Sequence, residues 1–177
     1  NRKPSGVLKR GVQLIACGMI ITAVTWIVYP QGFVIFGILH LIGFGTILSL
    51  PFLSKNVKWF VPAVFGILIV VLSFFLDGHT GSLLLLPFGL PYAGFVSLDY
   101  EPLIPWFGVL LLGAAAGKLL YPSGRCRLLS RLPAMPSLLR PVCFVGRHTL
   151  IIYMLHVPVI ILAVFLIFPD AVLSFLF

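Results

Sequence analysis

Acidic side chains are nearly missing from this chain: there are four in 177 residues, against twelve Lys and Arg, and charged residues make up only 9% of the total. A soluble domain carries about 25% charged residues. Apolar residues take their place, at 60% hydrophobic with a mean hydropathy of +1.17. No water-soluble fold of this length can hide so much apolar surface, so the solvent is lipid. Period-two alternation is absent and the apolar runs are long and unbroken, which excludes a membrane β-barrel and leaves helices. Cysteine is scarce too. Cys17 lies in an apolar run, Cys126 and Cys143 lie in a basic loop, and the odd count and spacing exclude a disulfide framework or a metal cluster. A Ser-nucleophile motif, a phosphate-cradling Gly loop, a signal-peptide cleavage pattern and an internal repeat are all lacking, the last disfavouring an inverted-repeat transporter. The chain opens on Asn1 rather than Met, which suggests a trimmed or incomplete N-terminus.

The net charge of +8 does not point to nucleic acid, because the basic residues sit in short clusters between apolar runs, as membrane topology requires. A span needs about 20 apolar residues. Five segments qualify: Gly11–Tyr29, Phe33–Leu53 after the turn Pro30-Gln31-Gly32, Trp59–Leu76, Leu103–Tyr121 and His148–Phe168. The expected fold is therefore an all-α polytopic bundle, residues 1–177 forming a single transmembrane domain. Arg2, Lys3, Lys9 and Arg10 precede the first span. Lys55 and Lys58 separate the second and third. Lys118, Arg125, Arg127, Arg131, Arg140 and Arg147 fall at or between the ends of the last two. All twelve share one side, while Asp77, Asp99, Glu101 and Asp170 fall on the other. The positive-inside rule then makes the N-terminus cytoplasmic and the C-terminus extracytoplasmic.

Two connecting segments are unusual. Within Asp77–Pro102, Ser82–Leu90 is apolar but too short to span, and reads as an external lid, a re-entrant segment or a loop lying flat on the interface, shaped by Pro87, Gly89, Pro91 and Gly94. The loop Pro122–Arg147 mixes Arg with Leu and Pro. It suits orientation by anionic lipid, or an anion site for a phosphorylated cofactor.

Chemistry within the spans centres on His40 and His156, each expected roughly 10–12 Å deep. Ionisable groups at that depth are costly and commonly functional, and a neutral imidazole there can accept a proton; the alternative is a structural hydrogen bond between helices. Gly37 and Gly43 flank His40 on one face and allow a close helix neighbour. Thr149, Tyr153 and His156 form a polar stripe on the last span, as do Gly18, Thr22, Thr25 and Tyr29 on the first. Gly113 and Gly117 make a small-xxx-small pair suited to helix packing. At the outer end of the fourth span, Asp99 and Glu101 sit among Tyr100, Trp106 and Phe107, an arrangement that grips sugars or amines, or else an interfacial aromatic belt with solvated acids.

Three blocks carry a family resemblance: Phe36-Gly-Ile-Leu-His-Leu-Ile-Gly43, the Leu98–Gly113 stretch with Pro105-Trp-Phe-Gly108, and Gly146-Arg-His-Thr-Leu-Ile-Ile-Tyr-Met-Leu-His-Val-Pro158. Together they resemble the prokaryotic membrane family related to the catalytic domain of heparan-α-glucosaminide N-acetyltransferase. The resemblance covers nearly the whole chain and implies transfer of an acetyl group from cytoplasmic acetyl-CoA, as co-substrate and without a metal, to an amine or hydroxyl of an extracytoplasmic, sugar-containing acceptor. It implies His40 and His156 as catalytic residues, Arg147, Arg125 and Arg127 for the CoA phosphates, and Asp99, Glu101, Trp106 and Tyr153 for the acceptor. Family members usually begin with a Glu-x-Asp-x-x-Arg-Gly segment and two further helices, and this chain starts after that point. The partners implied are membrane lipids, acetyl-CoA, the acceptor and either those helices or a second copy of the chain, in a prokaryotic plasma membrane with the basic loops cytoplasmic. The competing readings are a non-enzymatic carrier for an amphiphile and a structural subunit of a membrane complex.

Overall fold

A computed structural model describes residues 4–121 and 140–167. Among them every regular element is helical. The chain forms two compact units, Asn1–Ser130 and Arg131–Phe177.

In the first unit, α1 (Pro4–Val28) is a 25-residue helix, about 37 Å long at 1.5 Å per residue. It begins at Pro4 rather than at Gly11, because a proline in the first turn forfeits no hydrogen bond and Gly6, the weakest helix former in 5–10, lies within that first turn. It ends at the expected turn, where the Gly32 N–H reaches the Tyr29 carbonyl at 3.3 Å. The chain then returns through α2 (Ile38–Leu48) and α3 (Leu50–Leu53). Helix α4 (Phe60–Leu76) follows, then a 3₁₀ turn at Leu83–Phe88 and α5 (Leu103–Leu120).

Close backbone approach organises both helix pairs. A Cβ on Gly11 would meet the Gly43 carbonyl at 3.0 Å, and one on Gly43 would meet the Gly11 carbonyl at 3.0 Å, so α1 and α2 approach closely there, with the Ile47 and Ile15 side chains packed over the two glycines. In the same way Gly66 of α4 and Gly108 of α5 each stand 2.8 Å, from a notional Cβ, to the other's carbonyl. Among the described residues nothing lies within 4 Å of a Cβ at Gly113 or Gly117. The antiparallel pairing of α4 and α5 brings Lys118 back to the α3–α4 turn, where Nζ donates to the Ser54 and Val57 carbonyls, both at 2.7 Å. Lys9, Arg10, Lys55, Lys58 and Lys118 thus fall at one end of this unit, and Asp77, Asp99 and Glu101 at the other.

The second expected span is not one helix. Residues 33–37 precede α2 without helical structure, and Ser49 separates α2 from α3. The first departure arises because the 97–101 segment captures this backbone: Leu98 N–H donates to Gly32 O at 2.8 Å and Glu101 N–H to Phe36 O at 3.0 Å. The second follows from Pro51, whose ring crowds the carbonyl four residues earlier and which has no N–H to offer it. Two helices, Pro4–Val28 and Leu103–Leu120, are long and apolar enough to cross a membrane; the bent pair Pro141–Arg147 and Thr149–Ile160 makes a third if it is one span. Ile38–Leu48 and Phe60–Leu76 are shorter apolar helices. Outward residues of α1 and α4 suit lipid: Ile27 and Phe74 are each 77% exposed.

The segment between α4 and α5 closes on itself, with Gly81 N–H bonded to Pro91 O at 2.9 Å and Gly89 turning the chain at φ +91°. It is anchored inward by Leu86, which is fully buried against Phe36, Leu41 and Leu103, while Leu84 beside it is 84% exposed.

In the second unit, α6 (Arg140–Arg147) and α7 (Thr149–Ile167) meet at His148, the bend measuring 71° between 141–147 and 149–160. The Thr149 hydroxyl donates to Gly146 O at 2.8 Å across that bend.

Candidate functional site

The acidic end of the first unit carries the most unusual polar arrangement among the described residues. Three stretches meet there: the middle of α1, the 32–40 segment and the 97–101 segment. Thr25 on α1 uses its hydroxyl twice, donating to Ile21 O at 2.8 Å and accepting from Val34 N–H at 3.1 Å. The expected polar stripe of α1 therefore faces the segment leading to His40. Ser97 lies within hydrogen-bond distance of Phe33 O (3.1 Å) and Asp99 O (3.0 Å). Asp99 in turn accepts Ile38 N–H on Oδ2 at 3.0 Å. That amide is one of the donors a helix start leaves unpaired, so Asp99 caps α2 from a distant part of the chain.

His40 occupies the third position of α2 and is 3% exposed. It therefore lies in the first turn of α2, not about seven residues into a continuous helical span. The ring stacks on Phe36, with centroids 5.6 Å apart and planes 28° from parallel. Its edge lies on Gly18 of α1, where a Cβ would come within 2.9 Å of the imidazole. Gly37 N–H points at Nδ1 at 3.4 Å. Nε2 is buried and has no hydrogen-bond partner among the described residues. Because Nδ1 acts as the acceptor, this network assigns the proton of a neutral ring to Nε2. A buried donor left unpaired costs about 1–3 kcal/mol, and such a group in a native fold calls for an explanation in function or in a bound molecule.

Tyr100 ties the outer loop to this site. Its hydroxyl donates to Leu86 O at 2.7 Å, and its ring packs edge-on against Phe95 at 4.9 Å. Burial pushes its pKa above the ordinary 10.0, which keeps it a donor. Glu101 is half-buried, its backbone held by Phe36 O, and Trp106 is exposed on α5.

The remaining expected residues belong to the second unit or lie outside the described residues. His156 is exposed on α7, with Nδ1 against the Tyr153 carbonyl and its ring 5.2 Å from that of Tyr153. Tyr153 is half-buried. Arg147 is exposed in the last turn of α6, where a cation complements the helix dipole. Arg125 and Arg127 fall outside the described residues.

The structure thus brings together His40 and Asp99, and adds three residues that the pattern of the chain did not single out for the site. Phe36 lies four residues before His40, but since 33–37 is not helical its stacking on the ring follows from the fold rather than from helical spacing. Gly18 headed a polar stripe, but its match to His40 depends on the register between two helices. The reach of Tyr100 to Leu86 left no sequence signal. Among the described residues no group of three or more His, Cys, Asp or Glu could hold a metal ion.

Residues 1–158 match the family model described as "Heparan-alpha-glucosaminide N-acetyltransferase, catalytic". No curated protein and no solved structure matches the chain. With that match spanning most of its length, and with apolar helices able to cross a membrane, this chain belongs to the family of the heparan-α-glucosaminide N-acetyltransferase catalytic domain.

Proposed function

We propose that the chain acts as a multi-pass acetyltransferase of a prokaryotic plasma membrane. It takes the acetyl group from cytoplasmic acetyl-CoA and delivers it to an amine or hydroxyl of a sugar-containing acceptor on the extracytoplasmic side. The family supplies the reaction class. The observation that carries the assignment to a site is the buried, unpartnered Nε2 of His40. Nε2–H donates to the thioester carbonyl oxygen, where negative charge grows as the acceptor attacks. The acceptor nitrogen or oxygen forms the new bond to the acetyl carbon, the C–S bond breaks, and CoA leaves as the thiol after taking up the proton that the acceptor loses. This is the carbonyl-positioning role for His40 rather than that of a base, since a neutral ring protonated on Nε2 has no lone pair there.

The polarity of the first unit supports the direction of transfer: its basic residues lie at one end, where CoA phosphates would be attracted, and His40 lies near the acidic end. Arg147, with Arg125 and Arg127, is the proposed phosphate clamp, and Glu101 and Trp106 line the proposed acceptor side.

The test is release of free CoA thiol from acetyl-CoA by the purified protein in lipid nanodiscs, with glucosamine as the acceptor. A carrier or structural subunit releases none. Acceptor-dependent release that falls by about 10²-fold or more in His40→Gln supports the reading, in the range of a lost transition-state donor. Full turnover in that variant sinks it.

A further inference from the structure

The residues around His40 assign Asp99 a task different from holding the acceptor. Its Oδ2 is spent on Ile38 N–H, 3.0 Å away, at the start of α2. The preceding amide, Gly37 N–H, is the one directed at His40 Nδ1. The two amides are consecutive, so whatever fixes the first restricts the second. Gly37 is required for this approach, because a Cβ there would overlap the Asp99 carboxylate. The carboxylate is itself held in place, with Ser97 Oγ 3.0 Å from the Asp99 carbonyl and Glu101 N–H on Phe36 O.

We infer that Asp99 is a positioning residue for His40: by capping α2 it holds Gly37 N–H on Nδ1 and so keeps the imidazole proton on Nε2. Without the cap, the Ile38 amide loses its acceptor, the first turn of α2 is free to rotate, and both ring nitrogens become open to the proton. The inference rests on the role of His40 proposed above for its effect on turnover. Its effect on the ring tautomer stands apart from that role.

Two readouts test it on the full chain in nanodiscs. Nitrogen NMR of histidine-labelled protein, with His40→Gln identifying the resonance, reads the tautomer. Steady-state kinetics with glucosamine and acetyl-CoA separate kcat from KM. In Asp99→Ala the Nε2–H tautomer gives way to a mixture, and kcat at saturating glucosamine falls about tenfold or more, with acceptor KM changed less than about twofold, as loss of a transition-state interaction requires. Asp99→Asn, which keeps an oxygen acceptor, recovers most of that loss. A raised acceptor KM at unchanged kcat in Asp99→Ala makes Asp99 an acceptor grip and overturns the inference, as does an unchanged tautomer. Ser97→Ala serves if Asp99→Ala fails to fold: a smaller fall in kcat with a partly shifted tautomer supports the inference, and wild-type values of both overturn it. Full turnover in His40→Gln removes the functional role of His40, while the tautomer in Asp99→Ala still reports on positioning, so the two failures are read separately.

Discussion

His40 and His156 look alike in the sequence, each an isolated histidine within an apolar run, yet they sit in opposite surroundings. His40 is almost fully buried, stacked on one aromatic, seated on a glycine, and left with an unpaired ring nitrogen. His156 is exposed and directs Nδ1 at a carbonyl of its own helix. A histidine whose polar contact comes from its own turn needs no tertiary structure to be content. One that draws on a distant carboxylate, a loop amide and a second helix is specified by the fold. Shared placement in an apolar run is therefore a poor guide to shared surroundings; the source of each ring's partners distinguishes them.

The largest effect expected from this contrast is on turnover. His40→Gln lowers CoA release by about 10²-fold or more, whereas His156→Gln lowers it by less than about tenfold. Equal losses in the two variants would erase the distinction. Next comes the seat of the ring. Gly18→Val places a branched side chain where the imidazole lies, so it displaces His40 or parts α1 from α2, and a loss of about 1–3 kcal/mol is expected by thermal unfolding. Wild-type stability with full turnover would mean that the ring does not rest there. The same logic separates two glycines of α5. Gly108→Ala must push against the Gly66 carbonyl and costs about 1–3 kcal/mol, while Gly113→Ala meets nothing and is neutral or slightly stabilising, by up to about 1 kcal/mol.

The smallest effect concerns the loop anchor. Tyr100→Phe removes the bond to Leu86 O and costs about 1 kcal/mol. Because burial raises the Tyr100 pKa, the unfolded chain loses this proton first as pH climbs past the ordinary 10.0. The folded state then binds more protons than the unfolded one, so the Tyr100 contribution is present in full below pH 10 and declines above it. The stability gap between wild type and Tyr100→Phe should narrow as pH rises past the ordinary 10.0, and a gap independent of pH would remove burial as the cause.

Much of the fold was legible in the sequence, because lipid imposes a strong rule. Apolar runs of the right length must satisfy their own backbone, so helices near 60–76, 103–120 and 149–167 could be placed within a residue or so. The same pattern failed at 33–53, where hydropathy does not reveal that residues 97–101 bind the backbone of 32–38. Nor did it mark Gly66 and Gly108 as the glycines on which α4 and α5 meet, because a glycine's neighbours depend on how each helix is rotated about its axis.

The sequence by itself determined the helical class and the motif blocks that carry the family. Each follows from local composition and order, which hold whatever the packing. Only the tertiary structure decided that Asp99 serves the start of α2, that Gly18 seats the ring, and that His40, unlike His156, is left with a buried unpaired nitrogen. Those relations join residues some 20 to 60 positions apart in the sequence. They form when helices settle into one register, which no local pattern encodes.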